Sequence, residues 1–234
     1  MTMKNIVAVA ATIMNNQPKI DYEAFKLETL KAFPNLKLDQ YDEEMIAYAN
    51  EHKVPIIQLE GLAFLKQIVR LHKPQTILEI GSAIGFSASQ MAKCSNAQII
   101  TIERDELMYQ EALKNIEKQN LQNRITIHFK DALEAFDLVK DMRFDMLFID
   151  AAKGQYRRFF EMYEPLLNEG GIIVTDNLTF HGLIFEEIKD RNLRQLVRKI
   201  KEYNAFLLEN ENYETSIFQI GDGISISIKK EGTK

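Results

Sequence analysis

From Thr76 onward the chain alternates between short apolar runs of strand length and longer stretches of helical period. Strands are predicted over residues 76–80, 99–103, 125–129, 144–149 and 172–175, with helices over 86–95, 106–120, from about 132, and 156–167 between them. A strand, a helix and a further strand close as a right-handed crossover, so this run builds a parallel sheet covered by helices on both faces. After residue 191 the pattern changes. A helix to about 208 leads into strands 213–220 and 224–228, which flank Gly221-Asp222-Gly223, a turn suited to a hairpin. The predicted fold is α/β, a doubly wound, mostly parallel seven-stranded sheet ending in an antiparallel hairpin. Upstream, residues 20–72 carry only helical period, marked by Phe25, Leu27 and Leu30, then Met45, Ile46 and Tyr48, then Leu62, Leu65, Ile68 and Val69. They read as a helical N-terminal cap on a core of residues 73–234, together one domain over 20–234 behind an extension at 1–19.

Composition removes several function classes. At 234 residues, 46% hydrophobic and 27% charged, the chain has the makings of a packed core. A formal net charge of −5 argues against a protein that coats nucleic acid or anionic membrane by bulk charge, while a local basic face stays open. Cys94 is the single cysteine, which excludes an intrachain disulfide and a Cys-x-x-Cys metal or redox pair. The apolar stretch 6–14 behind Lys4 is too short to span a bilayer, and the expectation is a cytoplasmic protein with no membrane segment.

Residues 76–87, TILEIGSAIGFS, indicate where a ligand goes. Glu79 stands near the carboxyl end of the first strand, the edge where open α/β sheets bind ligands, and Gly81 and Gly85 allow a tight turn and close backbone approach there. An ordinary strand-to-helix turn reads the same way, and a dinucleotide fingerprint is excluded by Ala83 and Phe86 at the second and third glycine positions. Glu103 stands 22 positions beyond Gly81 at the end of the second strand, close to the distance at which an acid meets the ribose hydroxyls of an adenosine cofactor; a helix-capping glutamate is the alternative. Asp131 and Ala132 hold the equivalent place on the third strand, an acid beside a small residue able to take an adenine edge, or an ordinary N-cap.

The fourth and fifth strands end in Asp150-Ala151-Ala152-Lys153-Gly154-Gln155-Tyr156 and Asp176-Asn177. Neighbouring parallel strands bring those ends together, so Asp150, Asp176 and Asn177 converge as oxygen donors of the kind that hold Mg²⁺ or Ca²⁺ and not zinc. His52, His72, His128 and His181 show no metal-ligand spacing. On the 191–208 helix, Arg191, Arg194, Arg198 and Lys201 recur at steps of three, four and three, opposite Leu193, Leu196, Val197 and Ile200. That stripe is either a phosphate-contacting face or a solvated one.

With LEIGSAIGFSA, TIER, FIDAAKGQY and GGIIVTDN in this order and spacing, the chain from about residue 54 resembles the metal-dependent class I S-adenosylmethionine O-methyltransferases of the catechol type. Within them it resembles most the bacterial tRNA 5-hydroxyuridine methyltransferases, through DAAKGQY and VPII. Ala83, where many methyltransferases carry glycine, is a departure. The resemblance implies a Rossmann-like methyltransferase fold that binds S-adenosylmethionine and Mg²⁺. It implies that Ile57, Gly81 and Ser87 border the methionine end of the cofactor beside Glu79, that Glu103 takes the ribose, and that Asp131 and Ala132 take the adenine. Asp150, Asp176 and Asn177 would hold the metal, Asp150 also lying near the cofactor amine, and Lys153 would be the general base, leaving Lys153 and Asp150 as the catalytic residues. The implied reaction is methylation of the 5-hydroxyl of 5-hydroxyuridine at the tRNA wobble position, giving 5-methoxyuridine, with Arg191, Arg194, Arg198 and Lys201 as candidate RNA contacts and a homodimer as the assembly. A small-molecule, catechol-like O-methyltransferase shares the same catalytic residues, and a non-catalytic RNA-binding or cofactor-sensing module is the reading from another class.

Overall fold

The computed structural model describes residues 36–232. The helical segment expected around Phe25 and Leu30, and the extension before it, lie outside these residues. Helix α1 (Gln40–His52) begins at a reciprocal cap, in which Asp39 accepts from the Asp42 amide and Asp42 from the Asp39 amide. Helix α2 (Leu59–His72) follows, and the alternation then runs β1 (Thr76–Ile80), α3 (Phe86–Cys94), β2 (Gln98–Glu103), α4 (Glu106–Lys118), β3 (Ile125–Phe129), α5 (Phe136–Val139), β4 (Phe144–Ile149), α6 (Tyr156–Tyr163) and β5 (Leu167–Thr175). Helix α7 (Arg191–Glu209) leads to β6 (Tyr213–Phe218) and β7 (Ile224–Lys229).

The seven strands form one sheet in the order β3-β2-β1-β4-β5-β7-β6. β1 to β5 pair in parallel, and β7 runs antiparallel to both β5 and β6. Strands covered on both faces carry unbroken apolar runs, and Met146, Leu147, Phe148 and Ile149 of β4 are all fully buried. Leu62, Leu65, Phe86, Met91 and Ile116 pack one face, so α1 and α2 share a core with the sheet; Val139, Phe160, Tyr163 and Tyr203 pack the other.

Three boundaries differ from the sequence prediction. α6 stops at Tyr163 because Pro165 lacks an amide hydrogen, and a short 3₁₀ turn over Glu164–Leu166 takes over. β5 then begins at Leu167, and Gly170-Gly171 lies within it, at an irregularity in the β4–β5 register between Phe144 and Met146. The helix expected from about 132 is confined to Phe136–Val139, with a turn in front of it. Among the described residues no helix is long and apolar enough to cross a membrane.

What positions a ligand is the carboxyl edge of the sheet. Ladder bonds continue past the strand ends, from the Gly81 amide to the Ile102 carbonyl at 3.0 Å, from Asp150 to Ile80 at 3.0 Å and from Asp176 to Ile149 at 3.1 Å. Gly81, Asp150 and Asp176 thereby sit on one stitched shelf. Gly81 has φ +91°, and a Cβ there would lie 2.3 Å from the Asp150 carbonyl oxygen, so the turn after β1 tolerates only glycine.

Candidate active site

Between the tips of β1, β2, β3 and β4 the edge opens into a cavity of about 320 Å³, walled by Gly81, Glu103, Asp131, Ala132, Asp150 and Lys153 among others. A smaller hollow adjoins it, where Ile57 and Ser87 meet Gly81, Ala83 and Asp150. The opening lies where the chain winds outward to β2 on one side of β1 and to β4 on the other, the switch point at which such sheets bind ligands.

At the far end of the cavity Glu103 is already committed. Its Oε1 accepts from the Arg104 and Asp105 amides, both at 2.8 Å, and its Oε2 from the Ala83 amide at 2.8 Å. A carboxylate has roughly four acceptor positions, which leaves about one facing the cavity. One acceptor position of Glu103 thus remains for a ligand in the cavity, where the sequence reading left both oxygens open to ribose hydroxyls. Ala83 donates its amide from a left-handed conformation, φ 45°, in which glycine is the ordinary choice. Asp131 is not an N-cap of α5. Its Oδ1 accepts from the Leu133 amide at 2.9 Å and its Oδ2 pairs with Arg104 at 3.3 Å, while the Tyr163 hydroxyl holds the Ala132 carbonyl at 2.6 Å. Pro55, Ile56 and Met108 complete the apolar wall.

Glu79 stands behind this cavity. It is fully buried, faces Thr101 across the β1–β2 ladder, and accepts a 2.5 Å hydrogen bond from the Ser87 hydroxyl. Burial pushes its carboxyl up to about 7, against a smaller downward pull from Ser87. The sign follows directly. A carboxyl raised above its unfolded value near 4.5 stabilises the fold fully below that value and loses the contribution as pH climbs through about 7. Urea unfolding of the wild type and Glu79→Gln at pH 5.5 and 8.5 should therefore differ in slope, the wild type losing about 2 kcal/mol more than the variant over that interval. Equal losses would mean that Glu79 folds ionised.

The donor cluster forms at the β4 and β5 tips. Asn177 Nδ2 donates to Asp150 Oδ1 at 2.7 Å, and the Asn177 amide donates to Asp176 Oδ1 at 2.7 Å. Asn177 does this from φ 65°, a conformation asparagine tolerates. Burial raises the carboxyls of both Asp150 and Asp176. Asp150 raises Asp176 further, and Lys153 draws Asp150 down. The Tyr156 hydroxyl is buried with no hydrogen-bond partner among the described residues and lies within electrostatic reach of the same carboxylates. Among the described residues no three His, Cys, Asp or Glu side chains group as metal ligands, so a site here depends on the Asn177 amide as third donor. Two crowded, desolvated carboxylates beside an amide fit a hard divalent cation, which offsets the repulsion that burial leaves.

Lys153 opens the other side. Its Nζ lies 5.5 Å over the Phe180 ring and makes no ion pair among the described residues. Beyond it a second hollow of about 330 Å³ runs between the start of α6 and α7, lined by Lys153, Arg157, Arg158 and Lys199, with Glu202 as the acidic member. Arg191, Arg194 and Lys201 are exposed on α7, and Arg198 pairs with Glu202 at 3.3 Å. Lys199, outside the predicted stripe, is an α7 cation beside the turn that follows β4, its aliphatic chain passing Gly154. The hairpin turn adds a residue that sequence reading treated only as turn chemistry. Asp222 is buried, and its Oδ1 accepts from the Thr179 hydroxyl at 2.8 Å and from the His181 amide.

Comparison with known proteins gives the family. A caffeoyl-CoA O-methyltransferase of Populus kitakamiensis is 28% identical over 229 residues, covering 87% of this chain and 97% of that protein. A catechol O-methyltransferase of Niastella koreensis is 31% identical over 177 residues, covering 71% and 79%. The solved structure of a caffeoyl-CoA O-methyltransferase candidate from Staphylococcus aureus superposes with a TM-score of 0.83 at 38% identity, covering 88% of this chain and all of that one. The sequence model of the O-methyltransferase family matches residues 37–230, and the chain belongs to that family, the S-adenosylmethionine-dependent O-methyltransferases of the caffeoyl-CoA and catechol type.

Proposed function

We propose that this enzyme methylates the 5-hydroxyl of 5-hydroxyuridine in tRNA, with Lys153 as general base and Asp150, Asp176 and Asn177 as the residues that would hold Mg²⁺. When bound, the ion supplies Lewis acidity that makes the acceptor hydroxyl easier to deprotonate. Glu103, Asp131 and Ala132 place the cofactor's adenosine along the β2 and β3 tips, and Ile57, Gly81 and Ser87 close around its methionine end. Lys153 Nζ, in its neutral form, takes the hydroxyl proton as the oxygen forms its bond to the sulfonium methyl, and S-adenosylhomocysteine leaves with the electron pair of the broken S–C bond. Holding oxygen and methyl in line supplies much of the rate.

One observation carries the choice of acceptor. Lys153 stands at the junction of the cofactor cavity and the cation-lined hollow, so an acceptor whose hydroxyl enters the first lays its remaining length along Arg158 and Lys199. That suits a nucleoside with phosphates on either side. The names of the relatives favour a second reading, a small phenolic acceptor.

The test compares tRNA carrying 5-hydroxyuridine with catechol and caffeoyl-CoA as methyl acceptors, in the wild type and in Arg158→Gln/Lys199→Gln. For the tRNA reading, KM for tRNA rises about tenfold in the variant, and the log–log salt dependence of tRNA binding flattens by roughly one unit per lost contact. Turnover of catechol stays unchanged. Efficient methylation of the phenols, with tRNA inert, would establish the second reading.

A further inference from the structure

The segment after Asn177 is held in an unfavourable shape. Asn177, Phe180, His181 and Gly182 all have positive φ, at 65°, 48°, 54° and 80°, and only the last is glycine. Phenylalanine and histidine do not adopt the left-handed region without support from their surroundings. That support comes from the turn between β6 and β7. The Leu178 amide donates to the Gly223 carbonyl at 3.0 Å and the Thr179 amide to the Asp222 carbonyl at 2.8 Å. Asp222 Oδ1 takes the Thr179 hydroxyl and the His181 amide, while Oδ2 lies 3.7 Å from His181 Nδ1 with no hydrogen bond of its own. The two segments touch so closely that a Cβ on Gly223 would lie 2.7 Å from Thr179 Cγ2. On its other side the turn rests against α2, where a Cβ on Gly221 would lie 3.1 Å from the Gly61 amide nitrogen. A buried aspartate thus fixes both ends of a strained stretch whose central ring, Phe180, lies under Lys153 Nζ.

We infer that Asp222 is a positioning residue for methyl transfer: it clamps Thr179 and His181 so that Phe180 sets the placement of Lys153 at the acceptor mouth. This rests on the role proposed for Lys153, and it is independent of whether the acceptor is RNA or a phenol. Asp222 is buried and does not line the cavity.

Single and paired variants test it with whichever acceptor the wild type turns over. Asp222→Ala should lower kcat about 10²-fold, the scale of a misplaced catalytic group, with the Kd for S-adenosylmethionine unchanged. Asp222→Asn should recover activity to within about threefold of the wild type, because the amide oxygen keeps both Oδ1 hydrogen bonds and its NH₂ finds His181 Nδ1 as an acceptor. Thr179→Val, which removes one bond and keeps the fold, should lower kcat about fivefold if Asp222→Ala proves too unstable to assay. If Asp222 acts through Phe180, adding Asp222→Ala to Phe180→Ala lowers kcat little further; a merely structural aspartate gives losses that multiply. Multiplying losses, an Asp222→Asn variant as impaired as Asp222→Ala, or wild-type kcat in Thr179→Val would each overturn the assignment. A failure of the Lys153 reading shows itself separately, as an active Lys153→Ala enzyme.

Discussion

Lys153→Ala should lower kcat by roughly 10²–10⁴-fold while the affinity for S-adenosylmethionine stays within about twofold. The amine lines the cavity, 5.5 Å above the Phe180 ring and free of any ion pair among the described residues, where it is placed to meet an acceptor hydroxyl. Lys153→Arg is the informative companion. It preserves charge and most of the reach but does not deprotonate, so it should be nearly as inactive as the alanine variant. Single-turnover rates and calorimetric cofactor titration would check both. Activity within tenfold of the wild type in the arginine variant would remove proton transfer from the role of Lys153 and leave it an electrostatic one.

Asp176→Asn should separate function from stability in opposite directions. Methyl transfer falls by on the order of 10³-fold, because the proposed site for a divalent cation loses one of its two charges. Cofactor affinity holds, since Asp176 is buried beneath the edge and Asp150, not Asp176, borders the cavity. In chelator the variant should unfold at a higher temperature than the wild type. Burial and the neighbouring Asp150 both oppose the Asp176 charge, and the amide removes that opposition while keeping the acceptor for the Asn177 amide. Added Mg²⁺ should raise the midpoint of the wild type more than that of the variant. A variant less stable than the wild type in chelator would mean that hydrogen bonding, not charge, governs the cluster.

The sheet was legible because its signal is local. β1, β3 and β4 run where their apolar runs run, and the Asp150 and Asp176-Asn177 tips meet because parallel neighbours leave no other arrangement. β5 was read short because Gly170-Gly171 has the composition of a turn, and only the register with β4 shows it to be an irregularity inside a strand. Glu79 could be placed at the strand's carboxyl end but not on a side of it. A period of two assigns facing only when one face is polar, and in β1 neither is. Met108 sits at helical spacing and reads as core. Asp222 between two glycines has a sufficient local explanation as a turn residue, and its second function depends on a contact about forty positions away in sequence, which no local pattern records.

The stitching of Gly81, Asp150 and Asp176 to neighbouring strand carbonyls divides the enzyme into parts that can change at different rates. Methyl delivery and the donor cluster belong to one inflexible block, in which displacing any strand tip displaces the others. The acceptor surface proposed above takes Arg158 from α6 and Lys199 from α7, and around it stand the loop over 178–182, the rest of α7 and the turn at 219–223. Those segments answer to one another through Asp222 and Asn204, whose side chains both bond the loop, and they reach the strand tips through single side chains, Tyr203 on the Thr175 hydroxyl, Lys199 beside Gly154 and Phe180 under Lys153. New acceptors are therefore reached by exchanging that C-terminal set as a unit. Single replacements scattered through it disturb a mutual fit before they create a preference.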